Sequence, residues 1–176
     1  MTNFKRILVS GFILFSTQVS AQMTLCADME PICTDVGLTF TAGSGGPNVV
    51  TAFPGNNYGC MWTGPNPSWY YLEVGVSGNI DMSLVASFDI DFVCWGPYTD
   101  YASAVASCGT LGQPPGIDAV VDCGISPSAT EFINITGATV GQVYVILIAN
   151  FASVVQTLTL TQTGGTGGTD CSIVNP

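Results

Sequence analysis

The sequence predicts an all-β fold: a two-sheet, jelly-roll-like β-sandwich, disulfide-stabilised, with at most one short helix. Three observations carry that expectation. Apolar and polar residues alternate with period two through WYYLEVGVSGNIDMSLVASFDIDFVCW, Trp69 to Trp95, which is the pattern of half-buried strands. Turn-forming Gly, Pro, Asn and Ser recur roughly every eight to twelve residues, the spacing of short strands in sandwiches and barrels. Seven cysteines are scattered along the chain with no C-x-x-C pair, as in a disulfide framework rather than a zinc or redox site.

The elements follow in order. Leu38 to Thr41 reads as an edge strand, followed by a Gly/Ser/Pro loop to Val49 and a second turn-rich loop over Pro54 to Pro67. In the first central strand Tyr70, Leu72, Val74 and Val76 share one face, and Glu73 and Gly75 the other. Ser77, Gly78 and Asn79 form the turn, where Gly78 or Asn79 takes positive φ at little cost. Ile80, Met82, Leu84 and Ala86 then point inward, and Asp81, Ser83 and Ser87 outward. Phe88, Ile90, Phe92 and Cys94 continue the inward pattern, while Asp89 and Asp91 face the other way. Together these strands read as one amphipathic sheet whose apolar face the remaining chain must cover.

After Trp95, Gly96-Pro97 breaks the sheet, and Thr99 or Asp100 caps one or two helical turns over Tyr101 to Ala106. This is expected to be the only helix of the mature protein. An irregular loop over Gly109 to Gly116, a short strand at Val120 to Asp122 and a turn at Ser126 to Ser128 come next. Thr130 to Ile135 is a strand, and Thr136 to Gln142 a connection. Val143 to Asn150 is apolar on both faces and reads as a central strand covered on both sides. Val154, Leu158 and Leu160 alternate with Thr157, Thr159 and Thr161 in the last strand, and TGGTGGTD is linker-like until Cys171.

Residues 1–21 have the layout of a secretory signal peptide: Lys5 and Arg6, an apolar run from Ile7 to Phe15, then Val19-Ser20-Ala21. The expected domain spans 22–163, with a Gly/Thr-rich tail over 164–176. Beyond residue 21 no apolar run is long enough to span a bilayer. The two basic residues of the chain lie within those first residues, and there is no His, against twelve Asp and Glu. The mature chain therefore forms no side-chain salt bridge and has nothing to neutralise a phosphate backbone, which argues against nucleic acid and anionic membranes. Ser-His and Cys-His dyads, imidazole metal sites, Schiff bases and anion clamps are excluded on the same ground.

Carboxylates, hydroxyls and aromatic rings remain. Asp89 and Asp91, two residues apart on one strand face, place their Cα atoms about 6.5 Å apart. With loop oxygens, and Asp118, Asp122 or Glu131 as contributors, they could hold one Ca²⁺. The alternative is a solvated polar face and no cofactor. Trp62, Trp69 and Trp95, with Tyr70 and Tyr98, either pack in the sandwich or form a ligand platform. A two-carboxylate glycosidase is formally open, though no pair stands out as acid and base, and no enzyme is expected. Asn134-Ile135-Thr136 matches a glycosylation sequon. Among the cysteines, Cys94 on the core face is the free-thiol candidate. Cys108 and Cys123, bracketing a Gly/Pro-rich loop, are the favoured pair, leaving Cys26, Cys33, Cys60 and Cys171 three ways to pair.

Several blocks together, NPSWYYLEV, GNIDMSLV, DIDFVCWGPY, VDCGIS, ATEFINI, VYVILIANFA and TQTGGTGGTDCSI, resemble an extracellular domain of large exported Bacteroidetes proteins. In that family it follows the signal peptide and precedes immunoglobulin-like modules and a gliding-motility-associated, type IX secretion sorting domain. The resemblance implies a β-sandwich exported to the surface or medium. The WYY, GNI and DIDF succession is also similar to the bacterial pre-peptidase C-terminal domain, a jelly-roll-like module that accompanies secreted enzymes and can bind calcium, here through Asp89 and Asp91. The function expected is a non-enzymatic surface or adhesion-type module binding a glycan or protein through loops such as Gly55 to Trp69 and Gly96 to Gly116. A calcium-dependent carbohydrate-binding module is the alternative.

Overall fold

The computed structural model describes residues 24–113 and 119–174; the expected signal peptide, residues 1–21, and Asp118 lie outside them. Among the described residues the strands form two packed sheets. One runs β1 (Glu30–Pro31), β3 (Pro67–Val76), β8 (Val143–Ala149), β5 (Asp91–Tyr98) and β6 (Ala119–Gly124), with β10 (Gly168–Thr169) also on β3. The other runs β2 (Leu38–Ala42), β9 (Gln156–Gly164), β4 (Gly78–Val85) and β7 (Thr130–Ala138). From β2 to β5 each successive strand changes sheet, giving the interleaved orders 2-9-4-7 and 3-8-5-6. That is the double Greek key of a jelly roll.

This topology corrects the expectation that the three central strands form one amphipathic sheet. β3 and β5 lie in one layer and β4 in the other, so the central stretch supplies both walls of the core. Tyr70, Leu72 and Val74 meet Ile80, Met82 and Leu84 across the sandwich, with Ile90, Phe92 and Cys94 alongside. Gly78 sits at φ +148 in the turn between β3 and β4, and a side chain there would collide with the backbone of Gly167. Two inward assignments fail at strand ends: Val76 and Phe88 are exposed, and β5 starts at Asp91 after a bend over Ser87 and Phe88. β9 likewise starts at Gln156, leaving Val154 exposed.

β8 is buried along its whole length. Tyr144, Ile146 and Ile148 face the inter-sheet core. Val143, Val145 and Leu147 face a second apolar layer on the outer side of the sheet. That layer corrects the assumption that the face of β5 bearing Asp91 is solvated. Val93 and Trp95 project from it and are covered by Cys26, Met29, Val49, Tyr58, Met61, Ala104 and Leu111. The cover includes α1 (Val49–Ala52), capped by Asn48, and α2 (Tyr101–Ala106), capped by Asp100 and Ser103 in a capping box. α2 is thus not the only helix; α1 and two short 3₁₀ turns, Cys26–Asp28 and Cys171–Val174, accompany it.

Three disulfides join Cys26 to Cys108, Cys33 to Cys171 and Cys60 to Cys123. The favoured Cys108–Cys123 pairing is therefore incorrect. Each bridge joins segments 63 or more residues apart that meet only through the fold, so spacing carried no signal. Cys94 is free and buried. Three disulfides mark an oxidising compartment, extracellular or periplasmic. Among the described residues no helix is long and apolar enough to cross a membrane. Gly168 and Thr169, within the Gly/Thr-rich tail, pair with Val76 and Val74, and Thr34 N–H donates to Thr169 Oγ1 at 2.9 Å.

Candidate functional site

Four connections converge at the end of the sandwich where β5 begins and β6 and β8 finish, and a cleft of about 290 Å³ opens between them. Trp62 and Thr63 line it from the loop before β3, Asp89 from the β4–β5 connection and Asp91 from the first position of β5, Ile125 and Pro127 from the β6–β7 turn, and Phe151 from the β8–β9 turn.

Each wall is held from behind. The Trp62 loop is fastened on one side by the Cys60–Cys123 bridge. On the other side Asn48 grips it: its Nδ2 donates to Thr63 Oγ1 at 2.7 Å and its Oδ1 accepts from Gly64 N–H at 3.0 Å. The bend before Asp89 rests on Gln156, whose Oε1 accepts from the Ser87 and Phe88 N–H groups at 3.1 and 2.8 Å. Ala152 N–H donates to Asp89 O at 3.1 Å, tying the Phe151 turn to the acidic segment. Ile90 N–H donates to Ser128 O at 3.2 Å and fixes the β6–β7 turn beside them.

Electrostatics set this end apart. Asp91 is only 4 % exposed, Glu131 is buried beside it, and one oxygen of Asp89, Oδ1, is enclosed with no hydrogen-bond donor. Burial, then the charges of Asp89 and Glu131, push the Asp91 carboxyl up to about 7. Burial also raises Glu131, opposed by the Ser126 N–H that its Oε1 accepts at 3.1 Å, with Asp89 and Asp122 adding repulsion. Glu131 Oε2 lies against Gly124, where any side chain would collide with it. No Asp91 carboxylate oxygen accepts a hydrogen bond among the described residues. With no Lys, Arg or His beyond residue 6, no side chain among the described residues supplies a counter-charge here.

The structure sorts the residues singled out from sequence. Asp89 and Asp91 come together at the cleft, with Glu131 behind. Asp122 turns away, its Oδ2 accepting from Asn134 N–H and Nδ2 at 2.7 and 3.3 Å. Asp118 falls outside the described residues. The ligand platform does not form: Trp69, Tyr70, Trp95 and Tyr98 are buried packing residues. Trp69 and Trp95 stack with centroids 5.8 Å apart, and Trp95 Nε1 donates to Asn57 O at 2.7 Å. Trp62 alone of that set is open, at 87 % exposure. Among the described residues, none from the Gly96 to Gly116 loop lines the cleft; α2 and Leu111 cover the outer face of the sheet.

Sequence reasoning missed Phe151, Ile125 and Pro127. It also missed the buried amides Asn66, Asn150 and Gln156 that brace this end. Their one signal was Asn beside turn residues, in Pro65-Asn66-Pro67 and Asn150-Phe151.

As for metal, among the described residues the one trio of Cys, Asp or Glu donors within 4.8 Å of each other is Cys33, Asp35 and Cys171, and two of these are joined in a disulfide. The Asp89, Asp91 and Glu131 carboxylates are neighbours without converging on one point.

Fold and site together define a disulfide-stapled jelly-roll sandwich with an acidic, aromatic-rimmed cleft at one end. No family model, curated protein or solved structure matches the chain.

Proposed function

We propose that the chain is an exported, non-enzymatic binding module of the surface or adhesion type, which takes a glycan or protein partner in the cleft between Trp62 and Phe151. The observation that carries this reading is the lining: an open indole and a phenyl ring beside two carboxylates. Aromatic faces bury the apolar surface of a ligand, and carboxylates orient its donors. Trp62 is 87 % exposed and belongs to neither apolar layer, whereas Trp69 and Trp95 are packed in the outer one. The signal-peptide layout and the disulfides support export, and the resemblance to exported Bacteroidetes domains supports a place on the outer surface, in gliding or type IX secretion-associated proteins. The absence of any cationic or imidazole side chain in the mature chain supports binding without reaction.

An array of surface glycans and peptides probed with the purified protein tests this. Ligands retained by the wild type and lost by Trp62→Ala support it; ligands held equally by Trp62→Ala and Phe151→Ala place the site elsewhere. Polysaccharide turnover that disappears in Asp91→Asn would contradict the non-enzymatic half.

A calcium-dependent carbohydrate-binding module is the second reading. It is favoured by the enclosed, donorless Asp89 Oδ1 beside buried Asp91. A rise in melting temperature with millimolar Ca²⁺ would support it, and an unchanged melt would remove it.

A further inference from the structure

We infer that the group seated in this cleft is a primary alkylammonium, the side chain of a partner's lysine or a free aminoalkane. The inference rests on reading the cleft as the binding site, and specifies what it takes. Asp91 carries it: a carboxylate almost wholly buried, lining the cleft, with no donor from the described residues. Asp89 lines the same wall, with one oxygen enclosed and unpaired. A buried carboxylate without a partner is costly. The mature chain has no basic side chain, so once this carboxyl ionises, the complementary charge has to come from a ligand.

The rest of the lining chooses between kinds of cation. Ca²⁺ takes about six to eight oxygens, and here the side-chain oxygens on the lining belong to Asp89, Asp91 and Thr63. Trp62, Ile125, Pro127 and Phe151 offer carbon and an indole ring. That half of the cleft gains nothing from a hydrated metal ion, but it suits a methylene stem, which buries along apolar surface while its charged head meets oxygen. The indole face of Trp62 adds cation–π attraction, and the three donors of an ammonium group match carboxylates that receive none.

Calorimetric titration of the purified protein, at low salt and above the pH at which Asp91 ionises, tests this with four probes. They are a blocked peptide with one lysine, the same peptide with Nε-acetyl-lysine, 1-aminopentane, and CaCl₂. The lysine peptide and 1-aminopentane are expected to bind, and the acetylated peptide to bind about tenfold more weakly or worse, having lost the charged donor. Asp91→Asn should weaken the lysine peptide by a similar factor, and Trp62→Ala by about threefold. Equal affinity for 1-aminopentane and the peptide would identify the ammonium stem as sufficient; tighter peptide binding would identify a protein as its source. Should Asp91→Asn fail to fold, the exposed Trp62 and the acetylated probe still decide.

Equal binding of the neutral peptide overturns the inference, as does calcium binding through Asp91 with no ammonium binding. A neutral glycan held at Trp62 while both amines are ignored also sinks it, yet leaves the binding-module reading intact. Only if no ligand at all depends on Trp62 or Phe151 do both readings fall.

Discussion

Gln156 Nε2 donates to Asn150 Oδ1 at 2.7 Å, both side chains buried, and this amide pair joins the last long strand to the end of the central one. Its outer ends are also occupied. Asn150 Nδ2 donates to the carbonyls of Gly43 and Val154 at 2.7 and 2.6 Å, and Asn66 Nδ2 donates to Asn150 O at 3.1 Å. Gln156 Oε1 holds the bend that leads into Asp89. Removing one member strands several buried groups. Gln156→Ala is expected to cost about 2–3 kcal/mol by urea denaturation, against less than about 0.5 kcal/mol for Thr157→Ala on the exposed face. A cost for Gln156→Ala no larger than the Thr157 control would show that the network does not brace this end.

Asp91 makes stability depend on pH with a definite sign. Its carboxyl is pushed up to about 7 in the folded chain from an ordinary value near 3.8. Between those two pH values the folded state holds a proton that the unfolded state has released. The favourable contribution is therefore complete below about 3.8, declines through the interval, and is gone above about 7. Glu131, raised by burial, acts in the same sense, while Asp89 and Asp122 supply the repulsion. The urea midpoint of the wild type should fall from pH 5 to pH 8 (about the span of the Asp91 shift), and Asp91→Asn should flatten much of that fall and exceed the wild type at the upper end. A wild-type midpoint that climbs over this range would contradict the burial argument.

The cysteine assignments give a sharp chemical count. Cys94 is fully buried, and burial raises its thiol well above the ordinary range. The native protein should not react with an alkylating reagent, and in denaturant without reductant it should take up one equivalent. Removing the Cys33–Cys171 bridge by paired Cys→Ser substitution should destabilise the chain by about 2–5 kcal/mol. Faster hydrogen exchange should then appear at Gly168 and Thr169, which that bridge holds beside β3. Fast labelling of the folded wild type would refute the burial of Cys94.

The three tryptophans separate optically. Trp62 is open and Trp69 and Trp95 are stacked in the outer core. Iodide should quench only one component of the native emission, and Trp62→Phe should remove that component. Trp95→Phe, which leaves Asn57 O without its donor, should instead cost about 1–3 kcal/mol. Uniform quenching of all the emission would mean the outer layer is not closed.

Period-two alternation made much of the sandwich legible. It placed Leu72, Ile80, Met82, Phe92 and Ile146 on their correct faces, because a strand passes this information along itself. The both-sided burial of β8 and the Asp100 cap of α2 were readable for the same local reason. Phe88 misled because the alternation carries no sign of the bend that Gln156, 68 residues further on, imposes through its amide. The face of Asp91 and Trp95 misled because its cover comes from loops and the N-terminal segment, which bury apolar side chains without periodicity. At the site, Asp89 and Asp91 were visible as a spaced pair. Phe151 and Ile125 were not, since they reach the cleft through the end-to-end arrangement of strands that alternate between sheets.

Ligand capture at the cleft turns on Asp91 being an enclosed acid with no partner among the described residues. Following its side-chain carboxyl carbon by NMR through a pH titration measures that state directly. A midpoint near 7 in the free protein, moving downward when a cationic ligand is added, is the expected result. A midpoint near the ordinary value of 3.8, unmoved by any ligand, would contradict it.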